Sequence, residues 1–436
     1  MKKSIWHAEN HLRTFEQLEG EIRTDVLIIG GGLAGILCAH RLAQQGIDYV
    51  LIESNRILSG ISGNTTAKIT SQHGLIYDKL IREFGEEAAR GYYEANEAAL
   101  EAYRSLGREY ACDFEQKDNV IYSTGDTRKL EREMRALERL KIPARYTRSL
   151  PLPFPVAGAV CFPNQAQFHP VKLAGEMAKS LRIYENTRAL EFRGNLVLTD
   201  RGSIRAEKII VATHFPILNK HGAYFLKMYQ QRSYVIAYEN AGQVEGMYLD
   251  AADNGLSFRN WGGTLLIGGG GHRTGKQGRG WHAIEEFART HYPRAREVCR
   301  WAAQDCMTLD SVPYIGQYSP ATPNLYVATG FQKWGMTSSM VSAMVLTDLI
   351  RGKENAYAGI FDPSRSILRP QLFVNAWEST VNLLTPTRPR CPHLGCALKW
   401  NPMEHSWDCP CHGSRFGMDG TLEDGPANGD LNRKYE

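Results

Sequence analysis

The chain has 436 residues, 43% of them hydrophobic and 22% charged. That is a globular composition, too long for one ordinary core, so two or three domains are expected. A formal net charge of +4, with no stripe of lysine and arginine, gives no reason to expect nucleic acid.

The longest apolar stretch, 26–39, contains glycines and is too short to span a bilayer. The N-terminal MKKSIWHAENHLRTFEQ has no apolar h-region and so is not a signal peptide. The expected location is cytoplasmic, without a transmembrane segment and with peripheral membrane contact left open.

Residues 25–54 organise the chain. The apolar run Val26–Ile29 predicts a buried parallel strand. Gly30, Gly32 and Gly35 follow in G-x-G-x-x-G spacing, with Leu33 and Ala34 between them. Residues 36–45 predict a helix capped by Gly46. A second strand, 49–52, ends in Glu53. Gly30 permits the tight turn, Gly32 lets a pyrophosphate approach the backbone, and Gly35 lets helix and strand pack closely. The helix N-terminus offers free N–H groups to phosphates, and Glu53 suits a ribose hydroxyl. With strand, helix, second strand and acid all present, a dinucleotide site is expected.

The loop 54–74 is rich in Ser, Thr and Gly and carries Lys68, which suits wrapping a cofactor. Residues 76–112 and 126–140 predict amphipathic packing helices. LPLPFP, 150–155, excludes helix and reads as a crossing between domains. A helix is expected over 171–180, short strands near 190–192 and 196–198, and a buried strand over 208–213. Residues 228–270 alternate as strands, and Gly268–Gly271 lead to His272. Helices are expected over 283–292 and 295–303. The strand 324–329 runs into a glycine-containing turn and a helix over 338–350.

Strand, glycine turn and helix therefore occur near both ends of one region. This predicts an α/β protein whose nucleotide domain is assembled from 25–75, 151–215 and 305–362. An inserted α+β substrate domain would take 76–150 and 216–304, with a linker at 363–390 and a small all-β segment at 391–436.

DVLIIGGGLAGILCAHRLAQQG, the SGNTTAK loop, VATHFP and VATGFQKWGMTSS resemble the FAD-dependent oxidoreductases of the D-amino-acid oxidase and glycine oxidase superfamily. The resemblance covers about 25–365 and implies a Rossmann-like FAD domain. It implies FAD contacts at Gly30, Gly32, Leu33, Ala34, Gly35 and Glu53. It adds Ser62, Thr65, Thr66 and Lys68 in the loop, Ala212 and Thr213 after the strand, and Gly330, Gly335, Met336 and Thr337 late in the chain. It also implies hydride removal from a carbon bearing an amine, or a similar donor, to the flavin. LSFRNWGGTLLIGGG resembles the strand that carries a carboxylate-binding arginine in this superfamily, which places Arg259 there; its fork suits a carboxylate. The alternative is an exposed strand arginine. Tyr234, His272 and Lys333 are further pocket candidates, and no acid–base residue stands out.

Of nine cysteines, Cys38, Cys112, Cys161, Cys299 and Cys306 are scattered and expected in the core. The others crowd beside two histidines. Cys391-x-His393 and Cys409-x-x-His412 form the ligand pattern of a Rieske [2Fe–2S] centre, with thiolates on one iron and imidazoles on the other. A zinc site uses the same residue types, but CPHLGC…CPCHGSRF is far more specific. The resemblance to one Rieske subclass implies a disulfide between Cys396 and Cys411, and Ser414 is placed to donate to a bridging sulfur. Rieske domains carry strands before the first ligand loop, whereas here TPTRPR directly precedes it, and the helix-like NAWESTVNLL of 375–384 does not replace a strand bundle. The shortened base leaves the cluster labile, exposed or supported by the flavin domain.

The joint pattern resembles bacterial FAD-dependent oxidoreductases with C-terminal Rieske domains. Its expected partners are a small amine or amino-acid-like substrate and an unidentified electron acceptor. A flavin oxidase using O₂ beside a vestigial cluster segment, or a non-enzymatic redox sensor, are the alternatives.

Overall fold

The computed structural model describes residues 4–8, 12–219, 221–253, 255–386 and 389–431. Its backbone is built on three sheets. Val26–Ile29 form the buried end of the strand Gly20–Ile29. They pair in parallel with Tyr49–Ile52 on one side and with residues 208–211 on the other. Val26 and Ile28 enter one core, with the helices Leu33–Gln44 and Gly335–Ile350. Leu27 and Ile29 enter a second core on the opposite face. A continuous apolar run results because both faces are covered.

This first sheet has the order Tyr314–Gln317, Leu325–Thr329, Gly202–Val211, Gly20–Ile29, Tyr49–Ile52, Ile183–Tyr184. The hairpin Ala189–Arg193 and Leu196–Thr199 is attached to Gly202–Val211. Its strands come from separated parts of the chain, and the mixed α/β class matches the expectation.

The second sheet runs Arg296–Thr308, Met228–Glu239, Thr264–Arg273, Ser257–Trp261, Met247–Asp250, Glu115–Ser123, Gly158–Gln167, Lys68–Ile69, with Arg145–Thr147 at its side. The long helix Tyr77–Glu109 is interrupted at Gly85, whose φ is +87°.

Three expectations are corrected. Residues 295–303 are not helical; they belong to the strand Arg296–Thr308, paired along nearly its whole length with Met228–Glu239. Ala302, Ala303 and the neighbouring arginines favour helix locally, and the long antiparallel partner overrides that preference. Within 363–390 the helix is longer than the helix-like 375–384 expected there: it spans Pro370–Leu384, with its proline in the first turn. Gly158–Gln167, expected with the nucleotide domain, pairs with Glu115–Ser123 in the second sheet. Lys68–Ile69 joins that sheet too, and Arg296–Thr308 continues it past residue 304.

The third sheet has the order Lys399–Asn401, Ser406–Asp408, Arg415–Phe416, Leu422–Asp424. All of it follows Cys391, as the short stretch before the first ligand loop suggested. Its core is small, and it sits against the second sheet through buried charges. Arg415, 1% exposed, pairs with Asp408 at 3.0 Å, Asp424 at 3.0 Å and Glu404 at 3.1 Å. From the second sheet, Arg232 donates from Nε to Glu404 Oε1 at 3.0 Å and approaches Asp424 at 3.6 Å. Burial alone would raise the Glu404 carboxyl, but the two guanidiniums outweigh it and hold it below its ordinary value of 4.5.

Glu404→Ala leaves Arg232 and Arg415 undercompensated and is expected to destabilise the protein by about 3–5 kcal/mol, measured by denaturant unfolding. Because the folded carboxyl is depressed, its contribution is complete above pH 4.5 and is lost as pH falls through the lowered value. The E404A variant should therefore converge on the parent protein in acid.

Candidate functional site

A cavity of about 830 Å³ lies where the three units meet. Its walls include the carboxyl ends of first-sheet strands, at Ile29, Ile52 and Ala212, where open α/β sheets bind ligands. Second-sheet residues Arg232, Tyr234 and Gly269, and third-unit residues Glu423, Asp424 and Ala427, close the other sides.

The nucleotide-type turn faces this space. Gly30, Gly32, Leu33, Ala34 and Glu53 line it. Glu53 is fixed by two backbone donors, Gly31 N–H at 2.7 Å and Asn55 N–H at 2.9 Å. Leu33 N–H donates to Ser62 Oγ at 2.9 Å. The glycines have different reasons. Gly30 has φ +116°, and a Cβ there would lie 2.5 Å from the Ala212 carbonyl oxygen. A Cβ on Gly35 would lie 2.0 Å from the Gly30 carbonyl oxygen, so Gly35 serves helix–strand packing and stands behind the cavity wall. A Cβ on Gly32 would meet only Ser62 Oγ, at 3.2 Å. The protein itself leaves room there, and the missing side chain keeps the start of Leu33–Gln44 open. A helix N-terminus whose cap residue has no side chain, beside a bare backbone, fits a pyrophosphate.

Of the other expected contacts, Ser62, Thr65, Thr66, Lys68, Ala212, Thr213, Gly335 and Met336 line the cavity. Gly330 instead makes a turn at φ +70°. Thr337 lies beneath the wall with its Oγ1 2.9 Å from His73 Nε2. His73 also meets Tyr92 Oη at 2.7 Å and stacks on Trp334 at 4.9 Å, which steadies the start of Gly335–Ile350.

Tyr234, His272 and Lys333 reach the cavity. Tyr234 Oη lies 2.9 Å from His272 Nε2 and donates to Glu404 at 3.0 Å. Arg259, expected to hold a substrate carboxylate, is not in the lining. Its Nε donates to the Thr66 carbonyl behind the wall, and its guanidinium lies 5.2 Å over the Trp6 ring. Nη1 and Nη2 have no hydrogen-bond partner among the described residues. It is neither an exposed strand arginine nor a cavity group.

Sequence reasoning missed an acid in the wall. Asp305 Oδ2 accepts from Ser233 Oγ at 2.9 Å. Burial pushes its carboxyl up, against the pull of Lys333. A Cβ on Gly271 would stand 3.4 Å from Lys333 Nζ and 3.8 Å from Ser233 Oγ, so these groups share one corner. The signal was the alternation of the strand Arg296–Thr308, concealed by reading its first part as helix.

The C-terminal ligand candidates lie in two neighbouring loops. Cys391 and Cys409 are close enough for their thiols to influence each other's ionisation, with Ser414 beside Cys391. The His393 and His412 rings stand 4.9 Å apart at 86°. Cys396 and Cys411 form a disulfide, within 4.8 Å of Cys409. Burial pushes the His412 imidazole down to about 3, keeping it neutral, and neither ring nitrogen has a hydrogen-bond partner among the described residues. Two adjacent thiols facing two imidazoles fit the mixed ligation of a Rieske cluster.

Residues 25–349 match the family described as FAD dependent oxidoreductase (DAO). The chain belongs to this family. Residues 375–434 of this oxidoreductase match the Rieske [2Fe-2S] domain. The enzyme is 35% identical to a Rieske 2Fe-2S iron-sulfur protein, YhfW, of Bacillus subtilis (strain 168), over 98% of this chain and 96% of that protein. It is 23% identical to gamma-glutamylputrescine oxidoreductase of Escherichia coli (strain K12), over 79% of this chain and 88% of that protein. Its fold is similar to glycine oxidase from Geobacillus kaustophilus, with a TM-score of 0.66 at 20% identity, covering 79% of this chain and 99% of that one. The cofactors are accordingly FAD and a [2Fe–2S] cluster, and the residues present fit both. Among the described residues no helix is long and apolar enough to cross a membrane.

The glycine geometry predicts a contrast. Gly35→Ala forces backbone movement and should lower the melting temperature sharply. Gly32→Ala should keep a near-parental melting temperature yet lose most bound flavin, read from the visible absorbance per protein.

Proposed function

We propose that this enzyme oxidises a small amino-acid-like amine in the cavity and passes the electrons through its own cluster to an external acceptor. The observation that carries this reading is the shared cavity: the nucleotide-type turn and the cluster-bearing unit are walls of one space. Two similar proteins, a glycine oxidase and a gamma-glutamylputrescine oxidoreductase, support an amine donor.

Lys333 and Asp305 place opposite charges in one corner of the cavity. Such a pair suits a molecule with a carboxylate and an amine. Lys333 would hold the carboxylate. Asp305, raised by burial, would accept the ammonium proton, because only the neutral nitrogen has the lone pair that assists hydride loss. Tyr234 and His272, linked at 2.9 Å, would orient the donor from the second sheet. When bound, FAD takes up the hydride, with its two electrons, and the cluster relays them one at a time. The donor leaves as an imine, which water hydrolyses.

Anaerobic addition of candidate amino acids to the purified enzyme should bleach the flavin bands and produce a reduced-cluster EPR signal. Bleaching with stoichiometric peroxide in air and no cluster signal would favour the simple oxidase. No bleaching by any amine would remove the substrate class. Asp305→Asn should slow flavin reduction about 100-fold or more and abolish the low-pH limb of its pH profile, since the raised carboxyl no longer titrates.

A further inference from the structure

Among the described residues the cluster unit has no strand ahead of its first ligand loop, and the second sheet contributes support to the loop Cys409–His412. Gln230, on Met228–Glu239, donates from Nε2 to the His412 carbonyl at 2.7 Å and to the Gly425 carbonyl at 3.1 Å. Gln304, on the neighbouring strand Arg296–Thr308, donates to the Gly413 carbonyl at 2.7 Å. Contact is close: a Cβ on Gly413 would come within 2.6 Å of the Gln230 side chain. Both glutamines are buried, at 2% and 4% exposure, and both line the cavity. Gln230 therefore touches the cavity on one side and the backbone of a cluster ligand on the other. Its Oε1 is buried and has no hydrogen-bond partner among the described residues.

We propose that Gln230, assisted by Gln304, is a positioning residue that sets the environment of the histidine side of the cluster. This rests on the reading that the cavity holds the flavin and the ligand loops hold the cluster. Fixing the His412 and Gly413 carbonyls fixes the backbone that aims the His412 ring. Hydrogen bonding around a cluster's ligands tunes its potential. Nothing in the local sequence marks either glutamine, since each is a polar residue on a strand.

The test uses the holoenzyme and needs no substrate. The flavin is photoreduced anaerobically with a sacrificial donor, and cluster reduction is followed by EPR. Gln230→Leu is expected to keep its flavin, to shift the g values and midpoint potential of the cluster, and to slow cluster reduction about 10- to 100-fold. Gln230→Met, similar in length but without a donor, should behave in the same way. Loss of iron from both variants with flavin retained also supports the role. Wild-type g values, potential and rate in both variants overturn it. A parent protein that shows no cluster signal overturns the functional reading and this inference together. A parent signal to which both variants are indifferent overturns this inference alone.

Discussion

A guanidinium buried away from water must be neutralised where it lies, and Arg415 is the point at which that requirement joins the molecule together. Its partners Asp408 and Asp424 belong to the third sheet, and its partner Glu404 is shared with Arg232 of the second. A core as small as that around Leu398 and Phe416 cannot be expected to hold a domain by hydrophobic burial alone. Buried ion pairs contribute little net stability, but undoing one side of them is expensive. The network therefore acts chiefly on placement, allowing one seating of the cluster unit on the sheet. Tyr234, which bonds Glu404 and lines the cavity, belongs to the same network. This wall of the cavity and the seating of the third sheet are thus set together.

The cavity wall carries both signs of charge, with Glu53, Asp305 and Asp424 in its lining beside Lys68 and Lys333. Lys68 and Arg259 are both buried: burial, and then the charge of Arg259, lower Lys68 to about 7, and burial lowers Arg259 to about 9 against the pull of Glu115. Lys68 donates to the Tyr248 carbonyl at 3.0 Å, and among the described residues Arg259 bonds through Nε alone. The start of Leu33–Gln44 adds its dipole. Groups fixed in this way stabilise negative charge beside them without rearrangement. Arg259 can thereby contribute from behind Thr66, although it is not the direct carboxylate ligand that its strand position suggested.

What could be read from the sequence was whatever a local pattern has to encode. The turn at Gly30–Gly35 needs glycines at fixed spacing, and the cluster needs two thiols and two imidazoles at the tips of two loops. Both patterns are short, and the structure assembles both. What could not be read depends on partners distant in sequence. Arg296–Thr308 is a strand because Met228–Glu239 lies beside it, and Asp305 enters the cavity only as a consequence of that pairing. Gly158–Gln167 changes sheet because Glu115–Ser123 offers it an edge. Gln230 and Gln304 acquire a role only once a loop more than a hundred residues later packs on them. The absence of strands ahead of Cys391 was visible, but the surface that replaces them was not.

Both ligand loops lean on residues outside the third sheet. In the second loop His412 is buried and its backbone is held by residues of the cavity wall. In the first loop His393 Nε2 lies 2.8 Å from Asn219 Oδ1 and its ring packs against Phe215 of the cavity wall, while Leu394 beside it is 40% exposed. This first loop is tied to the end of the helix Pro370–Leu384 through Asn382, whose carbonyl accepts from Ala397 N–H at 2.9 Å. The strands missing ahead of Cys391 are thus replaced by contacts to the other two units, at Gln230 for the second ligand loop and at Asn219 and Phe215 for the first.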